Sequence, residues 1–262
     1  MKLRHKTITK YFASSTTGAQ VFLLLSLVLS SYALYAGLFN LPALLLIVLG
    51  YFLYGCLGIV VTFHRHLTHL SYQTNPSLIR FFSLLGCFAG TGSPLAWANI
   101  HVNHHLYSDK KKDPHSPRHY GLKIFSLNYN VEDKSKYLRH IVNDGFHRFL
   151  HRYYFVVLLG YSLVLYAVGG IYLMVFMHLL PALITAIMSN IVNYVGHKPT
   201  WIGASRPHQL SDDSTNNWLW ALPSWGESWH NNHHRYPRKY MFTDVWWKLD
   251  ISGQVIRRIK YE

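Results

Sequence analysis

Three short histidine clusters are the strongest chemical signal in this sequence. They read HRHLTH from His64 to His69, HVNHH from His101 to His105, and HNNHH from His230 to His234. On an α-helix, residues three and four positions apart share one face, so each HxxHH pattern places three imidazoles along a single stripe. Imidazole is a recurrent ligand for iron and zinc. The two HxxHH clusters therefore predict a metal site, whereas HRHLTH alone would be weak evidence.

A single histidine in such a chain is more often a solvated or interfacial side chain than a ligand. Two identical HxxHH patterns about 130 positions apart are difficult to attribute to chance, because helical spacing recurs in both. The two cysteines, Cys56 and Cys87, stand in apolar stretches. They indicate neither a disulfide framework nor a CxxC metal site, so we expect them to be packed core residues.

The elements that position the histidines are apolar helices. Half of the residues are hydrophobic and 14% are charged, against roughly 25% charged residues in soluble domains. Four runs without a charged residue are each long enough to cross a bilayer, which takes about 20 residues as a helix. They are Val21–Phe39, Leu41–Phe63, Tyr154–Met177 and Leu179–Gly196.

Short connections join these runs into two helical hairpins. We expect one turn around Asn40 and Pro42, and the other near His178 and Pro181. The first run follows four basic residues, as a signal peptide would. It is longer than a typical signal-peptide core, lacks a clear small-residue cleavage site and leads into another span, so we interpret it as a membrane helix.

Lysine and arginine are confined to three regions of the chain. Four precede the first run, twelve lie between Arg65 and Arg152, and nine lie between Lys198 and Lys260. Ten of the eleven acidic residues lie in the last two regions, and Glu262 follows just after them. With four crossings these regions share one side, and the positive-inside rule makes that side cytoplasmic. The net charge of +14 would indicate nucleic acid for a soluble protein, but this placement favours a membrane surface.

The stretch Pro76–Ala98 is apolar enough to be considered as a fifth crossing. Its Arg80, its amphipathic character and the break from Gly90 to Pro94 favour an interfacial or re-entrant segment. No linker, repeat or low-complexity run divides the chain, so residues 1–262 are expected to form one domain. The expected fold is all-α and integral to the membrane, with four transmembrane helices in two hairpins and a cytoplasmic helical cap that holds the histidines.

These residues resemble the membrane fatty acid desaturase family, specifically its delta-9 acyl-CoA (stearoyl-CoA) type. That family has an HRxxxH box at the end of its second span, an HRxHH box preceded by tryptophan, and a third box within GEGxHNxHH. This sequence has His64-Arg65 through His69, Trp97 before His101, and GESWHNNHH from Gly226. The resemblance extends from about Phe63 to Pro237.

The resemblance implies a non-haem site for two ferrous ions, with a water-mediated neighbour at Asn193, four residues before an outlying histidine in NIVNYVGH. Asp109, Asp113 and His115 could orient ligand rings through their second nitrogen. His66 has no counterpart in the family pattern. The nine implied metal ligands are His64, His69, His101, His104, His105, His197, His230, His233 and His234.

The implied activity is the introduction of a cis double bond, expected at the delta-9 position, into a saturated acyl chain with dioxygen and two electrons. No HPGG haem motif is present, so we expect a separate donor of the ferredoxin or cytochrome b5 type. Val102 and Ser228-Trp229 depart from the family pattern. The resemblance favours acyl-CoA as the substrate, and these departures leave acyl-lipid and acyl-carrier protein open. We expect Val48 and Phe52, above His64, to close the acyl channel.

Two other functions compete with desaturation. A related membrane di-iron hydroxylase or carotenoid oxygenase would share the histidine boxes and yield a hydroxylated product. A metal-binding or transport protein would use the histidines to line a path through the membrane. Seventeen of the eighteen histidines fall on one predicted side, and the apolar runs lack the paired ionisable residues of an ion route. This placement argues against transport.

Overall fold

The computed structural model describes residues 5–129 and 131–261, and most of them are helical. Three helical stretches are long and apolar enough to cross a membrane, namely Thr17–Tyr35 within α1 (His5–Tyr35), Leu41–Thr68 and Tyr154–Val195. Large apolar side chains on their outer faces are exposed, as Leu45 and Val48 illustrate. Apolar surface of this extent marks contact with a lipid or protein partner, and helices of this length identify the partner as the bilayer.

The second long stretch changes its winding partway along. It starts as α2, Leu41–Tyr51, where Asn40 accepts a hydrogen bond from the Ala43 N–H at 2.9 Å, and it continues as a π-helix from Phe52 to Thr68. In a π-helix the backbone bonds join residues five apart. The N–H of His69 accordingly donates to the carbonyl of His64 at 3.2 Å. These two histidines therefore lie one above the other on the same face.

The third long stretch turns back on itself at Gly169 and Gly170, where the backbone leaves the helical region and Gly170 has φ +62°. Positive φ is accessible to glycine because it has no Cβ. Ser162 and His178 are hydrogen-bonded at 2.9 Å, although 16 residues of straight helix would separate them by about 24 Å. The chain thus reverses within the span assigned to α8, Tyr154–Met174.

The turn predicted near His178 and Pro181 is therefore wrong. Both residues lie in continuous helix, in the π-wound turn Val175–Leu179 and in α9, Leu180–Val195. Proline has no N–H with which to bond the carbonyl one turn earlier. The Tyr54 hydroxyl donates to that carbonyl, Met177 O, at 2.8 Å. Buried His178 is satisfied in turn by Ser162 and by the carbonyl of Phe88 at 3.0 Å.

The segment after the π-helix forms α3, Pro76–Cys87, and α4, Pro94–Tyr107. With 12 residues, α3 is about 18 Å long, too short for a hydrocarbon core of about 30 Å. It packs against the π-helix where Gly58 and Gly86 allow the two backbones to approach closely. This geometry agrees with a segment that does not cross the membrane.

The remaining elements are short and surround the histidines. Two antiparallel strands of two residues each, β1 (Ala204–Ser205) and β2 (Asn216–Asn217), depart from the all-α expectation. The other elements are α5 (Pro117–Tyr120), 3₁₀ turns at Gly121–Ser126, Ser135–Tyr137 and Trp218–Trp220, α6 (Arg139–Asn143), α7 (Gly145–Arg152), α10 (His230–Arg235) and α11 (Ile251–Ile259).

Candidate metal centre

Nine histidine rings meet where the π-helix, α4, the end of α9 and α10 come together. Their Nε2 atoms converge in two groups, and within each group the atoms lie within 4.8 Å of one another. The five-histidine group contains His64, His69, His101, His105 and His233, and the four-histidine group contains His104, His197, His230 and His234. These are the nine histidines named from the sequence.

The spacing of the Nε2 atoms fits a metal ion better than hydrogen bonding. Neighbouring Nε2 atoms are 2.9 Å apart for His69 and His101, and 3.1 Å apart for His104 and His197. A neutral imidazole carries one N–H, yet the Nε2 of His105 lies within 3.0 Å of two other rings. An ion held at about 2.1 Å from each nitrogen would place ligands at right angles about 3.0 Å apart. The donor set of each group is therefore compatible with metal binding.

Burial keeps three rings of the five-histidine group in the form that binds metal. Burial lowers the pKa of His101, His105 and His233 well below the ordinary histidine value, and the neighbouring imidazoles lower it further. A neutral ring offers a lone pair to a metal ion, whereas a protonated ring does not. These three rings can thus bind a metal ion at neutral pH without a deprotonation step.

Four carboxylates hold the second nitrogen of four rings. The Nδ1 atom of His104 pairs with Asp113 at 3.0 Å and that of His197 with Asp109 at 2.8 Å. Nδ1 of His234 pairs with Asp212 at 3.0 Å, and Nδ1 of His64 with Glu227. A carboxylate on Nδ1 fixes the ring and the tautomer that leaves the Nε2 lone pair free, and it makes the ring a stronger donor.

These carboxylates are ionised although they are largely removed from water. Burial acts to raise the pKa of Asp109, but the hydrogen bond and charge of His197, together with hydrogen bonds from Ser116 and the Asp213 N–H, outweigh that effect and hold the pKa well below the ordinary value. For Glu227, burial is again opposed, by the charges of His64 and Arg65, and the pKa is lowered. Each can accept the N–H of its histidine as an anion.

The structure distinguishes among the other residues named from the sequence. Asp109 and Asp113 hold rings of the four-histidine group, but His115 packs against the His104 ring with centroids 4.3 Å apart. Its Nδ1 has no hydrogen-bond partner among residues 5–129 and 131–261. Asn193 lines the adjoining cavity, one helical turn before the histidine that follows α9. His66 lies against Tyr72, outside both histidine groups.

Sequence reasoning missed Glu227, Asp212 and Arg65. Glu227 stood within the quoted GESWHNNHH motif, three residues before His230, and a search for acidic residues near each box would have found it. Asp212 lies 22 residues before His234, and only folding brings the two together. Arg65 was read as part of a motif without a role of its own.

Arg65 is fully buried behind the five-histidine group. Its guanidinium pairs with Glu227 at 2.9 Å and Asp250 at 3.0 Å, and lies over the Phe242 ring at 3.8 Å. Glu227 also holds His64. An ion network therefore connects a histidine of the centre to Asp250, which caps α11 by accepting the Gly253 N–H.

A cavity reaches the centre from between the second long helix and α9. His64, His101 and His230 form part of its wall, and the rest includes Tyr51, Gly55, Ile59, Thr185, Ala186 and Ser189. The expectation that Val48 and Phe52 close this channel is wrong. Val48 is 53% exposed on the outer face, and Phe52 packs against Trp225. Tyr51 stands at the wall instead, with its ring 4.9 Å from that of Trp225.

The sequence of this chain is similar to those of several proteins named as desaturases. The chain is 32% identical over 218 residues to an acyl-CoA C20 delta5-desaturase of Anemone leveillei, covering 80% of this chain and 69% of the relative. It is 30% identical over 226 residues to delta-9 acyl-lipid desaturase 1 of Arabidopsis thaliana, covering 84% and 72%. It is 31% identical over 216 residues to an sn-1 stearoyl-lipid 9-desaturase of Anabaena variabilis, covering 80% and 78%.

The sequence model of the family described as "Fatty acid desaturase" matches residues 38–251, which include all nine converging histidines and the carboxylates behind them. The resemblance inferred from the histidine boxes is thereby confirmed, and this chain belongs to the fatty acid desaturase family.

Proposed function

We propose that this protein is a membrane-embedded fatty acyl desaturase that introduces a cis double bond, at the delta-9 position, into a saturated acyl chain. The observation that carries this proposal is the convergence of nine Nε2 atoms in two groups beside an apolar cavity. Membership in the desaturase family supplies the reaction class. The reaction consumes dioxygen and two external electrons.

Two ferrous ions would be held by the five-histidine and four-histidine groups, with Asn193 as a water-mediated neighbour. Iron is preferred to zinc because zinc has no redox chemistry. When bound, the ions would activate dioxygen, whose reduction supplies the oxidising power needed to break an unactivated C–H bond. The protein's own contribution is position, orientation and exclusion of water.

The cavity provides that contribution. Ile59, Ala186 and neighbouring apolar side chains would keep the acyl chain in van der Waals contact and away from water. His64, His101 and His230 lie in the same wall, so a chain in the cavity would pass beside both histidine groups. Trp97 stacks on His101 with centroids 5.1 Å apart and would hold that ring in place.

The topology we propose has four membrane crossings in two hairpins, with the centre on the cytoplasmic side. The reversal at Gly169 and Gly170 supports two crossings within Tyr154–Val195. The convergence of His69, His101 and His197 supports a common side for the ends of the second and fourth crossings. The distribution of lysine and arginine favours the cytoplasm for that side.

Acyl-CoA is the proposed form of the substrate, and a separate ferredoxin or cytochrome b5 type of protein is the proposed electron donor. The named relatives include an acyl-CoA desaturase and acyl-lipid desaturases. The carrier is thus the feature of this proposal that most needs a direct test. Purified protein offered stearoyl-CoA or a stearoyl lipid should convert the CoA thioester faster.

The test of function is mass spectrometry of lipids from iron-replete cells that express the chain, beside a His101→Ala variant. We expect a new monounsaturated product from the first cells and none from the second, because His101 lies in the five-histidine group. No new double bond with any acyl length or donor would refute the proposal. A hydroxylated product in place of an alkene would assign the chain to the related oxygenases.

A further inference from the structure

The two histidine groups differ in how many of their rings a carboxylate holds. In the four-histidine group, three of four rings pair with aspartates, Asp113 on His104, Asp109 on His197 and Asp212 on His234. In the five-histidine group, Glu227 holds His64. Among the described residues, no other ring of that group has a carboxylate within ion-pair distance.

The carboxylates also differ in how far their charge is neutralised. Glu227 shares its charge with the buried guanidinium of Arg65 at 2.9 Å. Asp109, Asp113 and Asp212 have no lysine or arginine ion pair within the described part of the chain. Arg206 approaches the backbone carbonyl of Asp212 at 2.6 Å, and the nearby Arg118 is paired with Asp213 at 2.5 Å. Three negative charges therefore lie behind the four-histidine group. Behind the five-histidine group lies the single charge of Glu227, which Arg65 partly neutralises.

This asymmetry acts directly on metal binding. An imidazole hydrogen-bonded to a carboxylate is a more basic ligand, and loss of such a partner typically lowers metal affinity about 10- to 100-fold. Two additional carboxylates would favour the four-histidine group by about 100-fold or more on that scale. The fifth imidazole of the other group acts in the opposite direction, but it brings no charge.

We propose that the two ions are held unequally, and that the ion in the four-histidine group is bound more tightly and is the last to leave. This inference rests on the proposed function, since it takes both groups to be metal sites. The Asp109, Asp113 and Asp212 side chains are then positioning residues for the tightly held ion, and Glu227 is the corresponding residue for the labile ion.

The experiment is graded chelation of the full-length protein in detergent under anaerobic conditions after loading with Fe²⁺. Iron per chain is measured after each chelator step and gel filtration. We expect release in two steps of one ion each, with midpoints separated by at least about tenfold in chelator concentration. Release of both ions in one step would overturn the inference.

Three variants assign the steps to the groups. Asp212→Asn should weaken retention of the second ion about 10- to 100-fold and leave the first step in place. Glu227→Gln should shift only the first step. Asp213→Asn is the matched control, because this neighbouring carboxylate pairs with Arg118 and forms no ion pair with a histidine in the described part of the chain. The opposite assignment, in which Glu227→Gln shifts the second step, would contradict the inference.

Folding of each variant is checked by circular dichroism and by its elution in detergent. If Asp212→Asn does not fold, Asp113→Asn removes the equivalent charge from His104. A wild-type chain that retains no metal before any chelator is added contradicts the proposed function itself. Two ions that leave together, or in the reverse order, contradict only the inequality between the groups.

Discussion

Replacing Arg65 with methionine should destabilise this protein strongly, because the guanidinium neutralises two carboxylates in a site closed to water. Four of its five N–H donors have hydrogen-bond acceptors. Nε and one Nη2 hydrogen bind Glu227 at 3.2 and 2.9 Å, and Nη1 binds Tyr240 O at 2.6 Å and Asp250 at 3.0 Å. Nη2 also lies 3.0 Å from the other Asp250 oxygen, as part of the ion pair.

The expected loss follows from what remains after the change. Methionine has a similar length and can keep the packing against Phe242, so the main effect is that Glu227 and Asp250 lose their cation. Removing one partner of a buried ion pair costs about 3–5 kcal/mol. At about 2–4 °C per kcal/mol for a chain of this size, the midpoint of thermal unfolding should fall by roughly 6–20 °C.

The assay is thermal unfolding in detergent micelles, followed by circular dichroism. Arg118→Met is the matched control, since that arginine side chain is 50% exposed in its pair with Asp213 and an exposed pair contributes at most about 1 kcal/mol. Adding Asp250→Asn to Arg65→Met should restore part of the loss by removing one unpaired charge. An Arg65→Met shift no larger than that of the control would refute the reasoning.

Two further changes test the centre and the cavity. Asp109 has φ +58°, a conformation that asparagine tolerates, and Asp109→Asn can still accept from His197 and donate to Ser116. It should therefore lose only the charge and weaken iron retention about 10-fold, against about 100-fold for Asp109→Ala; equal losses in a chelator competition would contradict this. Tyr51→Ala should open the cavity wall beside Trp225 and lengthen the preferred acyl chain, and an unchanged product profile by mass spectrometry would count against that role.

The HxxHH patterns could be interpreted from sequence because α4 and α10 are ordinary α-helices, in which positions three and four apart share a face. HRHLTH could not, because its two outer histidines are five residues apart. In an α-helix that spacing places them about 140° apart around the axis. The π-helix from Phe52 to Thr68 brings His64 and His69 onto one face. The residue types in this segment do not predict a π-helix.

The position of the turn in the second hairpin could not be predicted from the sequence either. A histidine and a proline in an apolar run indicate a break in the helix. Judged from local sequence alone, Gly169 and Gly170 indicate a break equally well. Contacts from elsewhere in the fold decide between them. Tyr54 satisfies the carbonyl that Pro181 leaves free, and Ser162 and Phe88 satisfy His178. Tertiary hydrogen bonds thus make polar residues compatible with the helix interior.

The carboxylates behind the histidines explain why no single motif describes the whole centre. His64 and Arg65 are adjacent, yet one ring faces the five-histidine group while the guanidinium points into a buried ion network. Glu227 lies between them and contacts both, and Asp250 ties the same arginine to the start of α11. The orientation of His64 therefore depends on Glu227 and Asp250, which lie 162 and 185 positions beyond Arg65 in the chain. Changes in the C-terminal helix should reach the centre through Arg65, even though α11 itself contributes no histidine.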